Sequence, residues 1–219
     1  MKYIDFFCGA GGLSVGVESE GLDLVFANDI NENACKTFKH NFKKVKGTSI
    51  DNQIIELPIE KLLKLITYKK VQKKYMGKKH ITQINKELYK SYPNKTEKII
   101  KEQIDLNKFK RENIGEIDLI IGGPPCQGFS IAARGKKSSI KDDNTNFIDD
   151  PRNQLFKYFL EFVEYYNPKI VLIENVKGLI TAHGYLPSMI KSLEETGLGY
   201  ESDYTLIDCS KFGIPQKRE

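Results

Sequence analysis

Residues 117–130 read IDLIIGGPPCQGFS, and no other stretch constrains the fold as tightly. An apolar run of strand character, residues 117–121, is stopped by Gly122 and Gly123 and then by Pro124 and Pro125. A buried strand that ends this way delivers its next residue to the carboxyl edge of a sheet, where α/β folds keep their chemistry. That residue is Cys126. Proline has a fixed φ and no N–H, so the turn is stiff and the thiol is held in one place. An inert buried cysteine needs no such mount, so Cys126 reads as a reactive one.

The rest of the composition narrows the class. A chain of 219 residues suits one large domain, or a domain with a small appendage. With 12 Phe and 11 Tyr it has the material for a real core. No apolar run approaches the roughly 18 residues of a membrane span. The opening MKYID does not begin a signal peptide, so a cytoplasmic chain is expected. Cys8, Cys35, Cys126 and Cys209 form no CxxC, and His40, His80 and His183 are equally scattered. Neither a metal site nor a disulfide framework is expected; one reactive thiol in a reducing compartment is.

The net charge of +5 is unevenly spread. Residues 61–101 hold thirteen lysines against two acids, Glu87 and Glu97, so the remainder of the chain is net acidic. Lysine outnumbers arginine so heavily (only Arg111, Arg134, Arg152 and Arg218) that genome-wide codon bias explains much of the lysine content. The four arginines draw correspondingly more interest.

Taken in order, residues 2–7 form a short strand that runs into Phe7-Cys8-Gly9-Ala10-Gly11-Gly12, with a helix over 13–19. Strand, glycine loop and helix together make a nucleotide cradle, because glycine lets backbone approach a ligand and the helix offers free N–H groups. The loop is not the GxGxxG dinucleotide fingerprint. A second strand, 24–27, ends in Asn28-Asp29 before a helix over 31–42. An acid there is where a βαβ fold binds ribose hydroxyls, and it is equally where an acid caps the next helix. A glycine loop without a diphosphate fingerprint, followed by such an acid, points to a nucleoside without phosphates, of which S-adenosylmethionine is one.

Residues 45–116 are hard to read. The periodicity suggests an amphipathic helix over 54–66. The Lys-rich segment at about 61–101, with Tyr68, Tyr75, Tyr89 and Tyr92 interleaved, is taken as an insertion. A solvated helical face and a phosphate-contacting surface both fit it. After Ser130, residues 131–150 are polar and aperiodic, as a lid beside the cysteine would be, with Arg134, Lys136 and Lys137 suited to phosphates. A helix follows over 153–166, then a strand over 169–173 that runs into Glu174-Asn175-Val176. A carboxylate at the mouth of an apolar strand is expected to be desolvated, with a raised pKa. A helix over 185–196 and a strand over 201–207 complete the reading.

DFFCGAGGLS, GGPPCQGFS, ENV and GIPQKRE, in this order, resemble the sequential motifs of the C5-cytosine DNA methyltransferases. The resemblance covers nearly the whole chain outside the Lys-rich insertion. It implies an α/β, Rossmann-like fold dependent on S-adenosylmethionine, with a seven-stranded, mostly parallel sheet and helices on both faces. Phe7, Gly9, Gly11, Asp29, Ile30, Pro125 and Leu155 would line the cofactor site. Cys126 would be the nucleophile, Glu174 the acid at N3 of the base, and Arg218 a substrate-binding arginine. Gln127, Ser130, Arg134 and Asn175 would face double-stranded DNA, with Asn175 holding its turn. Asp51 and Asp105 compete for an adenine contact.

The implied reaction is methyl transfer to C5 of a flipped cytosine, without metal, in a restriction-modification setting. A tRNA-directed relative and a non-catalytic partner subunit remain alternatives. A dinucleotide oxidoreductase would leave PPCQ and ENV unexplained. The family motif that opens at Gln216 runs beyond Glu219, and a target-recognition region and closing segment follow it in the family. A 1–219 fragment without its C-terminal completion, or one chain of a split enzyme, is therefore expected, and alone it should be inactive.

Overall fold

The computed structural model describes residues 1–46, 50, 53–67, 106–125, 154–181 and 185–215. They fall into two compact units, one of residues 1–123 with 161–173, the other of 124–160 with 174–219.

The first unit is built on a parallel sheet. Strand β1 (Lys2–Phe6) has Tyr3, Ile4, Asp5 and Phe6 all buried, so both its faces are covered. That pattern belongs to a central strand of a sheet with helices on both sides. Strands β2 (Asp23–Asp29), β3 (Ile54–Glu56), β4 (Leu119–Gly122) and β5 (Ile170–Ile173) join it in the order β3-β2-β1-β4-β5. Every adjacent pair is parallel. The order reverses between β1 and β4, and the carboxyl ends of those two strands mark the switch point where open α/β sheets bind ligands. Five parallel strands are thus present among the described residues, against the seven that the family resemblance implies.

On one face, helices α1 (Gly12–Ser19) and α2 (Glu32–Lys46) close a cluster that includes Tyr3, Leu24, Phe38, Phe42 and Ile121. Tyr3 carries its hydroxyl to Glu18 Oε1 (3.2 Å), and the same oxygen accepts the Leu24 N–H (3.1 Å), so α1 is tied to β1 and β2 by one carboxylate. The opposite face is aromatic. Phe6 stacks on Phe162 with centroids 4.4 Å apart, and Phe26 meets Phe109 at 4.8 Å. Phe162 and Tyr166 lie in a helix, Gln154–Tyr166, and the Tyr166 hydroxyl donates to Phe109 O (2.8 Å). A buried phenol needs such a partner, and this one anchors the helix end to the chain entering β4.

Residues 54–66 differ from the expected single helix. Ile54–Glu56 is strand β3, and helix α3 (Ile59–Thr67) begins only after Pro58. Proline disfavours helix at the residue before it, which forces the break at Leu57. Asn28 then holds the strand: its Nδ2 donates to Ile55 O (2.9 Å) and Leu57 O (2.8 Å). Helix α3 buries Leu62, Leu63 and Ile66 and leaves Leu65 exposed, so the start of the Lys-rich stretch has an apolar face in the core. Residues 68–101 lie outside the described ones.

The second unit holds the short helix Gly178–Thr181, the helix Tyr185–Glu194 and a 3-10 turn at Cys209–Phe212. The strand expected over 201–207 is not formed. Tyr204, Leu206 and Ile207 are about half exposed, and a strand without a ladder partner leaves its backbone to water.

Glu161, in the middle of helix Gln154–Tyr166, is 2 % exposed. Burial and the neighbouring Glu164 push its carboxyl up to about 7. Such a group binds a proton in the folded chain that the unfolded chain has already released above about pH 4.5, so stability falls as pH rises from there to 7. Glu161→Gln is expected to raise the melting temperature at pH 8 and to leave it nearly unchanged at pH 4.5. Equal shifts at both pH values would contradict a protonated Glu161.

Candidate active site

The turn after β1 is built from backbone that few residues tolerate. Phe7, Gly9 and Gly11 have φ of 57°, 53° and 93°. Glycine adopts this region without penalty, whereas Phe7 is strained, and strained non-glycine residues collect at functional turns. The loop folds on itself: the Cys8 N–H donates to Asn28 O (3.1 Å) and the Gly11 N–H to Cys8 O (2.9 Å). Gly11 enters α1 with no side-chain cap on the helix. A Cβ placed on Gly9 or Gly12 would meet nothing within 4 Å among the described residues, which leave that face of the loop open.

Asp29 serves this loop. Its Oδ2 accepts the Gly9 N–H (2.9 Å) and its Oδ1 the Asn31 N–H (2.8 Å). The cap of the following helix is Asn31, whose Oδ1 accepts from the Asn33 and Ala34 N–H groups (3.0 and 3.1 Å). Of the two roles open to Asp29 from sequence, helix capping has thus gone to its neighbour. A carboxylate has about four acceptor positions, and these two bonds leave room for ligand hydroxyls. Beside it, Ile30 is 41 % exposed, an apolar face at the end of β2. Glu56 lies opposite Asp29 in the β2–β3 register, placing a second acid at this sheet edge that sequence reading missed. Its signal was weak, because β3 is only three residues long.

In the second unit, Pro124 is buried and Pro125 exposed, while Leu155 is half-buried. Asn175 Nδ2 donates to Pro124 O (3.1 Å), and its Oδ1 accepts the Val176 N–H (2.9 Å). The Glu-Asn-Val turn is therefore fastened to the Pro-Pro turn by one amide. Glu174 itself is exposed, which corrects the desolvation expected of it. It follows β5, an edge strand among the described residues, whose Ile170 and Leu172 are themselves about half exposed. Cys126, Gln127, Ser130, Arg134, Arg218, Asp51 and Asp105 lie outside the described residues. Among the described residues no cluster of His, Cys, Asp or Glu is arranged to hold a metal ion, and no helix is long and apolar enough to cross a membrane.

Strand order, a glycine loop after β1 and an acid ending β2 define an α/β, Rossmann-like fold. The family model for C-5 cytosine-specific DNA methylases matches residues 1–68 and 72–219, and the chain belongs to that family. Type II methyltransferase M.AgeI of Thalassovita gelatinovora is 30 % identical over 220 residues, covering all of this chain and 38 % of the relative. Type II methyltransferase M.XorII of Xanthomonas oryzae pv. oryzae is 30 % identical over 217 residues, covering 98 % of this chain and again 38 % of the relative. A crystal structure described as a DNA modification methyltransferase encoded within an E. coli prophage has the same fold. Its TM-score is 0.53 at 24 % identity, over all of this chain and 44 % of that one. The chain thus spans well under half the length of these relatives.

Proposed function

We propose that this chain carries the cofactor-binding and catalytic part of a DNA (cytosine-5)-methyltransferase of a restriction-modification system, acting in the cytoplasm on double-stranded DNA. The observation that carries the reading is the Asn175–Pro124 hydrogen bond, beside family membership. It links the residue next to Glu174 to the residue two before Cys126, which supports a reading in which the two turns serve one site.

The loop fits S-adenosylmethionine. Gly9 and Gly12 open outward, no side chain caps α1, and Asp29 keeps acceptor positions for ribose hydroxyls. Phe7, Gly9, Gly11, Asp29 and Ile30 would hold the nucleoside, and the family resemblance adds Pro125 and Leu155. When bound, the cofactor supplies an electrophilic methyl group. The protein's part is to make C5 of cytosine nucleophilic. The Cys126 thiolate adds to C6 of a flipped base, and Glu174, exposed until the base docks against it, would hold its proton in that covered state and give it to N3 as negative charge develops there. Once C5 carries the methyl, a water molecule takes the C5 proton, Cys126 leaves C6 as the thiolate, and N3 returns its proton to Glu174, which restores the aromatic ring. Arg218 and Arg134, with Gln127 and Ser130, are the proposed contacts to the strand.

Asp29→Ala is expected to weaken S-adenosylmethionine binding by about 1.5–3 kcal/mol, the value of hydrogen bonds to a charged group. Asp29 also accepts two backbone N–H groups, at a part-buried and an exposed position where water can replace the carboxylate, so stability should fall as well, by about 1 kcal/mol. Calorimetry and melting curves on the same variant separate the two. A loss of affinity no larger than the loss of stability would return Asp29 to a purely structural role.

The reading as a whole is tested by incubating the full-length protein with labelled S-adenosylmethionine and either duplex DNA or tRNA. Label in 5-methylcytosine of DNA is expected. Label in tRNA alone would move the substrate to RNA, and label in neither would leave a non-catalytic subunit.

A further inference from the structure

Asp5 stands in the middle of β1 and is 1 % exposed. Its Oδ2 is 2.6 Å from the Ser14 hydroxyl in the first turns of α1, while its Oδ1 is buried with no hydrogen-bond partner among the described residues. The pair clamps the strand that enters the glycine loop to the helix that leaves it. The titratable groups that act on this carboxyl or feel it are Tyr3 on its own strand, Cys8 in the loop and Asp29 at the end of β2. Cys35 on α2 couples to Cys8, and Glu18 on α1 to Tyr3. All are acids, so no cation among them offsets a charge on Asp5. Burial accordingly pushes Asp5 up to about 7.

S-adenosylmethionine carries a sulfonium and is a net cation, whereas the product left after methyl loss, S-adenosylhomocysteine, lacks that charge. We propose that Asp5 is a positioning residue of the glycine loop whose buried carboxyl favours the cationic cofactor over its neutral product. The inference rests on the cofactor assignment above. A cation at the loop supplies the missing positive charge, so its binding drives a proton off Asp5, and binding of the neutral product does so far less. By linkage, the affinity ratio of S-adenosylmethionine to S-adenosylhomocysteine rises with pH through the Asp5 transition.

Calorimetric titration of the full-length protein with each compound, from pH 5.5 to 8.5 in buffers of different ionisation enthalpy, reads both the ratio and the protons released. The ratio is expected to rise roughly threefold to tenfold, one pKa unit of coupling being a factor of ten. Proton release should accompany the cation near neutral pH. Asp5→Asn should flatten the component that wild type adds. Ser14→Ala removes the bond that lowers the Asp5 pKa, so it should move the midpoint to higher pH, and it serves where Asp5→Asn does not fold. A pH-independent ratio in wild type, or a profile unchanged in both variants, would overturn the proposal. Failure of the protein to bind either compound would instead overturn the cofactor assignment.

Discussion

Cys126→Ser is expected to abolish covalent trapping of the full-length protein on duplex DNA containing 5-fluorocytosine, and to lower methyl transfer by about four orders of magnitude or more. Fluorine at C5 cannot leave as a proton does, so the adduct that Cys126 forms at C6 should persist in wild type and survive denaturing electrophoresis. Serine offers an alkoxide only at very high pH and cannot replace a thiolate. The other cysteines make the test specific. Cys8 and Cys35 are buried, and burial drives the Cys8 thiol far above its ordinary range, so neither is available as a nucleophile. Cys209 is half-buried in the 3-10 turn of the second unit. Serine variants of these three should trap DNA as wild type does. Trapping by Cys126→Ser would place the nucleophile elsewhere and remove the proposed chemistry.

Elements were legible where one physical signal dominated. Strands β1, β2, β4 and β5 each announce themselves as an apolar run closed by glycine, an acid or a turn, and they form close to where those signals fall. The amphipathic stripes of Glu32–Lys46 and Gln154–Tyr166 gave those helices equally well. Strand β3 was lost because three residues are too few for a period, and Pro58 was the only local sign that the helix could not start at Ile54. Residues 201–207 erred the other way: the composition suits a strand, but a strand exists only with a partner, which local sequence does not reveal.

The candidate site was read from residue types, and its wiring came only from the structure. Asp29 was singled out by its distance from the glycine loop, yet its bond to the Gly9 N–H is a contact that sequence cannot locate. Asn28 looked like a mere companion of Asp29, although it is the residue that holds β3 in place. Asp5 passed unnoticed, and its signal was there: a carboxylate flanked by Tyr3, Ile4, Phe6 and Phe7 must be buried and must have a reason to be. Its partner Ser14 gave no signal, since a serine in a helix is usually indifferent.

Gly11→Ala is expected to destabilise the protein by about 2–5 kcal/mol, the largest effect of any single methyl added to the loop. Two terms combine. At φ 93° an alanine is strained by about 1–2 kcal/mol. The new methyl would also sit 2.7 Å from Phe38 Cδ2 and 3.0 Å from Cε2, closer than carbon atoms approach. Phe38 is fully buried and stacked on Phe42 with centroids 4.3 Å apart, so its ring has nowhere to retreat and overpacking adds about 1–3 kcal/mol. Gly9→Ala isolates the first term, because at φ 53° its methyl would meet nothing within 4 Å. The two variants should therefore separate. Gly11→Ala should lower the melting temperature by at least about twice the change in Gly9→Ala, since each kcal/mol moves a chain of this size by about 2–4 °C. Gly9→Ala should instead lose S-adenosylmethionine affinity out of proportion to its stability, its methyl projecting into the open face of the loop. Equal melting temperatures for the two would mean that Phe38 does not back the loop.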